Sequence, residues 1–403
     1  MPEMSAHTTE KSRAIRHRGR LNQIPIYLGK QFRFFVNQSD WKVIPMAAII
    51  AGLVGMVIRK RLFINMEGSL MGAFALTCVA LWNGAFNSIQ SVCRERPIIK
   101  REHRSGMHVT SYVAAHMIYQ LFLCLAQTAV SMYVLQIVGI RFPERGFMTR
   151  WMIVDIGLSM LLISYASDMM SLFISSFSHT TTSAMTVMPF VLIFQLVFCG
   201  SIIPLPEWSR PMANFTISHY GIRAIASQSR YNELPMVTGW NTIEGMKNQE
   251  IGGTVSVGQL LDLLNSKGFE KRRDTVVIPS LTAGELADIL GAEETSEMNR
   301  EEKVLDAVTL GQLIDLANGS EILQNRRDQT FSFNATVGEV LEALGEDRVR
   351  TFVQTKTAEA GRKPEFEQSR ANIQKNWIML ALFAAVFAIL STICLELIDK
   401  DKR

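Results

Sequence analysis

Seven ionised side chains crowd the first twelve residues of 93-CRERPIIKREHRSGMHVTSY-112, a stretch set between two long apolar segments. Charge at that density beside a membrane span is costly unless it stays in water or meets a partner. Its chemistry would be docking through ion pairs, the alternative being an ordinary basic inner loop. Three further ionisable residues, His116, Asp155 and Asp168, lie inside apolar segments. Such residues are functional candidates by default, though many only pair with each other. Asp168 and His116 fall at similar depths and can pair; a structural pair is preferred here to a proton relay. No catalytic constellation is legible: the histidines are scattered, and no Ser/His/Asp or Cys/His set can be argued. No metal site is expected, since the five cysteines (Cys78, Cys93, Cys124, Cys199, Cys394) form no C-x-x-C pattern. No G-x-x-x-x-G-K-S/T phosphate loop occurs.

The elements that must position these residues divide the chain in two. Residues 43–203 are almost continuously apolar, whereas residues 241–375 hold 16 Lys/Arg against 23 Asp/Glu. The insert thus carries −7 and the remainder +11, so the overall +4 describes neither part. An acidic insert argues against nucleic acid as a partner, because that binding wants a basic surface. A bilayer-spanning helix needs roughly 17–25 apolar residues. Six segments qualify or nearly so: 43–58, 68–92, 110–139, 151–177, 182–203 and 377–398. The first 40 residues are polar and basic, without the apolar run of a cleavable signal.

Orientation follows from Lys/Arg beside the spans. With the N-terminus inside, the cytoplasmic side collects 15 basic residues and the short outer loops 6, with Arg59-Lys60-Arg61 dissenting. Both termini are then cytoplasmic, and residues 241–375 are extracytoplasmic by helix count alone. Segment 21-LNQIPIYLGKQFRFFVNQSDW-41 reads as an amphipathic helix on the inner surface, the alternative being a flexible basic tail with aromatic anchors. The expected division is a cytoplasmic tail and connecting helix over 1–41 and five spans over 42–230. After these come the insert over 241–350, a linker or helical extension over 351–375, and the last span with its tail over 376–403.

Several of these residues carry a resemblance. Glu95-Arg96, Arg101-Glu102, Ser105-Gly106 and Ser111-Tyr112 stand in the order seen between the second and third spans of ABCG-like ABC exporters, the type-2 permeases. Segments 164-SYASDMMSLFISSF-177 and 198-FCGSIIPLPEWSRPMANFTISHYGIRA-224 are similar to that family's fourth span and to the end of its fifth, with re-entrant outer segments at about 204–230. The resemblance covers roughly 20–230 and 376–400. It implies a coupling helix at about 94–108 docked on a nucleotide-binding subunit, using Glu95, Arg96, Arg101, Glu102, His103 and Gly106. It implies that ATP and Mg are bound by that separate ABC ATPase chain, with no cofactor on this one. It implies a homodimer or pseudo-dimer of membrane subunits and a substrate cavity lined by Trp82, Asn83, Phe86, Phe190, Ile193 and Leu196. Plain helix packing is the alternative for each of those six. Where the family closes its cavity with a bulky apolar pair, this chain has Ser201-Ile202 as the outer gate, which puts a tight hydrophobic valve in doubt.

The insert repeats internally. Segments 256-SVGQLLDLL-264, 282-TAGELADIL-290, 309-TLGQLIDLA-317 and 336-TVGEVLEAL-344 align, their glycines 26, 27 and 27 residues apart. Each opens with Ser or Thr and has Gln or Glu three residues on, a helix capping box; Leu260, Leu263 and Leu264 are expected on the buried face. A higher period joins Arg272-Arg273-Asp274 to Arg326-Arg327-Asp328, each followed by a strand-like run. A duplicated helix–strand–helix unit of about 54 residues is expected, two copies packing into one small α/β domain because one buries too little surface.

The expected fold is therefore a mainly α, polytopic membrane protein with six transmembrane helices and an α/β repeat domain between helices 5 and 6. The expected function is the non-hydrolysing permease subunit of an ATP-driven exporter in the plasma membrane, moving a lipid-like or amphiphilic substrate. The rival expectation is a membrane-anchored surface-interaction or sensor protein acting through the repeats.

Overall fold

A computed structural model describes residues 19–37, 40–278, 281–282 and 303–397. The chain divides into a unit running to Trp240 and resuming at Arg350, and a second unit, Asn241–Val349. The first unit opens with α1 (Arg20–Asn37), α2 (Val43–Ile58), α3 (Met66–Ser88) and α4 (Ser91–Arg104). It continues with α5 (Val109–Ile137), α6 (Met152–Phe177), α7 (Thr181–Val197) and α8 (Ile217–Gln228). After α9 (Val257–Leu264), α10 (Leu310–Gly319) and α11 (Val337–Leu344) of the second unit, α12 (Arg370–Glu396) closes the described chain. Among the described residues, four stretches are long and apolar enough to cross a membrane: Met66–Arg104, which joins α3 to α4, and α5, α6 and α12. The apolar helices α2 and α7 are shorter, at 16 and 17 residues. At about 1.5 Å per residue they fall short of a hydrocarbon core about 30 Å thick.

Helix α6 is the centre of this unit and packs against α3, α5, α8 and α12. Its contact faces are serine-rich: Ser159, Ser164, Ser167, Ser171, Ser175 and Ser176 are all buried. Small residues let helices approach closely where lipid offers no hydrophobic drive, and their hydroxyls bond across the seam. Ser167 Oγ donates to the Leu81 carbonyl at 2.8 Å, Ser176 meets Ser391 of α12 at 2.6 Å, and Trp377 donates to Ser159 at 2.8 Å. Gly84 sets the α3–α6 crossing, because an added Cβ would lie 1.9 Å from the Ser164 carbonyl oxygen. Gly68 and Gly72, four residues apart on α3, receive the turn at Arg61 and Leu62. A Cβ at those glycines would meet Arg61 O at 2.5 Å and Leu62 Cδ1 at 2.4 Å.

In the second unit β1 (Glu250–Ser256) pairs antiparallel with β6 (Thr330–Thr336). Likewise β2 (Val276–Ile278) pairs with β5 (Val308–Thr309), and β3 (Leu281–Thr282) with β4 (Lys303–Leu305). Strands β1, β5 and β6 run directly into α9 (Val257–Leu264), α10 (Leu310–Gly319) and α11 (Val337–Leu344). Each described repeat helix thus follows directly on a strand, and α10, β6 and α11 succeed one another along the chain. Ser256, Thr309 and Thr336 all form complete capping boxes. The second repeat, with Gly284, lies outside the described residues beyond Thr282.

The copies cross-contact with pseudo-twofold reciprocity. Asn265 and Asn318 exchange two hydrogen bonds, at 2.9 and 2.7 Å. Arg327 pairs with Asp262 at 2.8 Å, and its counterpart Arg273 pairs with Asp315. The Gly258 amide donates to the Arg327 carbonyl at 3.0 Å and the Gly311 amide to the Arg273 carbonyl at 2.8 Å. The two Arg-Arg-Asp motifs therefore dock each repeat helix onto the other copy. Self-complementary exchange of this kind is what a twofold interface requires. In α9 the buried residues are Val257 and Leu261, while Leu260 and Leu263 are exposed. The expected face is displaced because a helix of two turns buries only the residues over its paired strand. Thr309→Ala removes one capping box and is expected to destabilise α10 by about 1 kcal/mol. Hydrogen exchange of 308–319 in the whole chain should then speed up severalfold, with α5 and α6 unchanged.

Candidate functional site: the charged helix and its clamp

Helix α4 follows α3 with only two intervening residues, and α5 begins four residues after α4 ends. It terminates at Gly106, whose φ of +101° is a left-handed conformation that glycine adopts without penalty. The amides of Gly106 and Met107 bond back to His103 and Glu102 at 3.1 and 3.0 Å, closing the helix with the paired bonds of a Schellman motif.

The expected coupling residues separate into two faces. Glu95 is buried and Arg96 half-buried. Arg96 donates to the Ser176 and Ser178 carbonyls, both at 3.1 Å, while Cys93 and Val92 engage Ser175. These contacts fasten α4 to the end of α6. Glu95 and Glu102 turn toward α1, where Lys30 Nζ lies 3.4 Å from Glu95 and 3.3 Å from Glu102. The opposite face exposes Arg94, Pro97, Ile98, Arg101, Arg104 and Ser105, at the i, i+3, i+4, i+7 spacing of one helical stripe. His103 is half-buried between the faces.

Helix α1 completes the clamp. Gln23 donates to the Gly106 carbonyl at 3.1 Å and accepts from the His108 amide at 2.9 Å. Ser111 Oγ donates to the Arg20 carbonyl at 2.7 Å. Tyr27 stands edge-on to Tyr112, and its phenol is pushed up to about 12, first by burial and then by the neighbouring Glu102 carboxylate. Gln31 bonds His116 at 3.1 Å, His116 bonds Tyr112 at 3.0 Å, and the Tyr112 hydroxyl donates to Glu95 at 3.5 Å. His116 is thus engaged by α1 and by its own helix rather than by Asp168. Sequence reasoning missed Lys30, Gln23 and Gln31 as clamp residues. Their signal was present: Gln23, Tyr27, Lys30 and Gln31 follow helical spacing, a polar stripe inside a segment rich in aliphatic and aromatic residues.

Asp168 is fully buried on α6, and among the described residues neither carboxylate oxygen has a hydrogen-bond partner. The Ser88 hydroxyl oxygen accepts from the Gln120 side-chain amide at 2.7 Å. Asp155 is a loop anchor. Its carboxylate accepts from the Phe147, Met148 and Thr149 amides at 2.8, 2.9 and 2.8 Å. Asp155→Ala leaves three amides without that acceptor and is expected to cost about 2–3 kcal/mol. Limited proteolysis should then cut within 144–150, which the parent chain resists.

Of the six expected cavity residues, Trp82 and Phe86 on α3 and Phe190 and Ile193 on α7 are exposed, and Leu196 is half-buried. Asn83 is buried instead and does not share their face, and Asn87 bonds Gln127 of α5 at 2.8 and 3.0 Å. Ser201 is buried, its hydroxyl without a hydrogen-bond partner among the described residues, and Ile202 is half-buried.

The first unit is thus a helical unit in which contacts from α1 and α6 hold a charged helix between α3 and α5. The family model described as ABC-2 type transporter matches residues 26–228, half of the chain, and the chain belongs to that family. No curated protein matches the sequence significantly. The family makes this an integral membrane permease component and implies association with an ABC ATPase subunit.

Proposed function

We propose that this chain is the membrane subunit of an ATP-driven exporter, with α4 as the helix that receives force from a separate ATPase. The observation that carries the proposal is the division of α4. One face is fastened to α1 and α6 by Lys30, Glu95, Glu102 and Arg96, and the other presents an exposed basic stripe centred on Arg101. A helix held on one side and docked on the other moves as part of a rigid body, which is how subunit closure is transmitted to a membrane domain. ATP and Mg then reside on the partner, and this chain hydrolyses nothing. With six spans, counting the short α2 and α7, both termini lie on one side of the membrane; the Lys/Arg bias makes that side the cytoplasm, with residues 241–375 outside.

Two copies, or this chain and a relative, face each other across the exposed apolar residues Trp82, Phe86, Phe190 and Ile193. A lipid-like or amphiphilic substrate occupies the space between them. The surface-interaction alternative gains no support from the family match. The test is ATP hydrolysis in proteoliposomes. The chain alone should show none, and the chain with its ATPase subunit should show hydrolysis stimulated by an amphiphilic substrate. Hydrolysis by the partner that is indifferent to the presence of this chain contradicts the proposal.

A further inference from the structure

The turns that follow α2 and α5 meet at one end of the first unit. The Phe63 and Phe142 rings pack with their centroids 5.7 Å apart, and the Arg59 guanidinium donates to the Val138 carbonyl at 3.4 Å. Phe63 holds a φ of +64°, a left-handed backbone that is costly for a bulky residue, and its amide donates to the Ser69 hydroxyl at 2.9 Å. Around this junction open two clefts of about 1080 and 750 Å³, which share Gln136, Phe142, Pro143 and Glu144. Their charged lining is Arg59, Lys60, Arg141, Arg145 and Arg150 against Glu144 alone. All six residues are exposed, so a ligand in the clefts can reach them. Among the described residues none of the five cations forms an ion pair.

What these cations meet follows from where they stand. Helix α2 ends at Ile58, directly before Arg59; α5 ends four residues before Arg141, and α6 begins two residues after Arg150. The cations therefore ring the level at which three apolar helices leave the hydrocarbon, within the Debye length of about 8 Å from the headgroup phosphates. Apolar side chains share the same clefts: Ile64 and Trp151 are 56% and 59% exposed. Tryptophan favours that level, its ring in the apolar layer and its N–H in the wet one. A free anion or an acidic peptide would use the cations alone. A phospholipid also covers Ile64 and Trp151, with its phosphate on the guanidinium forks and its glycerol and first methylenes on the apolar side chains. With the orientation proposed above, these cations lie outside, against the usual bias of Lys and Arg, and a lipid partner accounts for that placement.

We infer that this basic, aromatic-edged junction binds the headgroups of anionic phospholipids in the leaflet it faces. Binding is a property of this chain alone and does not depend on the exporter proposal.

The test is native mass spectrometry of the full chain in neutral detergent. The probes are phosphatidylglycerol and phosphatidylcholine with identical acyl chains, added in equal amounts. The parent should retain phosphatidylglycerol about tenfold over phosphatidylcholine. Lys60→Gln, Arg141→Gln and Arg145→Gln combined should cut that preference about fivefold, the worth of one cation beside an anionic headgroup. All three residues are exposed, so the size-exclusion profile should not change. Lys267→Gln, Lys271→Gln and Arg272→Gln combined remove the same charge from the second unit and should leave the preference as it was. Equal retention of the two lipids by the parent overturns the inference. So does a preference unmoved by the first set of substitutions, or lowered equally by the second. Polyglutamate that binds a parent showing no lipid preference would assign the junction to an acidic peptide instead, which also overturns it.

Discussion

Gly84→Ala is expected to destabilise the membrane unit more than any other single-methyl change in it. The added carbon would fall 1.9 Å from the Ser164 carbonyl oxygen and 2.8 Å from its carbonyl carbon. Both are backbone atoms of α6, which has no side chain to rotate away. Overpacking ordinarily costs about 1–3 kcal/mol, and an obstacle of backbone puts this substitution at about 3 kcal/mol or beyond. The internal comparison is Gly29→Ala in α1, where nothing lies within 4 Å of the added Cβ. Removing a helix-interior glycine there is expected to be neutral or to stabilise by up to about 1 kcal/mol. Size-exclusion profiles after graded heating measure both. Gly84→Ala should lose its monodisperse peak many degrees below the parent, and Gly29→Ala should match or exceed it. A Gly84→Ala chain as heat-resistant as the parent would mean that α3 and α6 do not cross there.

The second large effect is functional. Lys30→Glu puts a third carboxylate beside Glu95 and Glu102 in place of an ammonium. Unit charges about 4 Å apart interact by about 4 kcal/mol at an effective dielectric of about 20. Lys30 sits 3.4 and 3.3 Å from its two partners, so reversal exchanges two attractions of that order for two repulsions. Side-chain movement and water will relieve much of this, yet α1 should leave the α4 groove while the spans, held through α6, stay folded. The expected result is loss of at least tenfold in substrate-stimulated hydrolysis by the reconstituted complex. A cysteine-crosslinking readout between α1 and α5 should fall in parallel. Lys30→Arg, which keeps the charge, should retain most of both. Equal loss in Lys30→Arg would show that the position tolerates no change of shape and that its charge is not the point.

How much of this was legible in the sequence depended on range along the chain. The apolar helices were, because each is a local run: 43–58 was read as a span and α2 covers those residues. The capping boxes were too, since the cap and its partner stand three residues apart. Strand β1 was not, because 250-EIGGTVS-256 carries a Gly pair that weakens any strand pattern and pairs 80 residues away with β6. The clamp was half legible. The charges of α4 drew notice, but Lys30 had been counted only as an inner-side cation, and nothing local says that it bridges to residues 65 and 72 positions on.

Asp155 drew notice as a carboxylate in an apolar segment, its role open between functional and structural; its hydrogen bonds tie down the preceding loop. Gly84 sits in no motif and is fixed only by the helix that crosses it. Ser201 was singled out as an unusual gate position, and it is buried after the end of α7.

The central claim is that the exposed stripe of α4 docks an ATP-binding subunit. The most direct measurement is purification of the tagged chain from its native host in mild detergent, followed by mass spectrometry of what stays bound. Arg101→Glu is the variant to compare, because Arg101 lies on the exposed face and its charge can be reversed without disturbing the Lys30–Glu95–Glu102 contacts. The account predicts an ATP-binding subunit with the parent chain and its loss from Arg101→Glu, with thermal stability unchanged. An ATPase retained in full by Arg101→Glu, or a parent chain that brings down none, would contradict it.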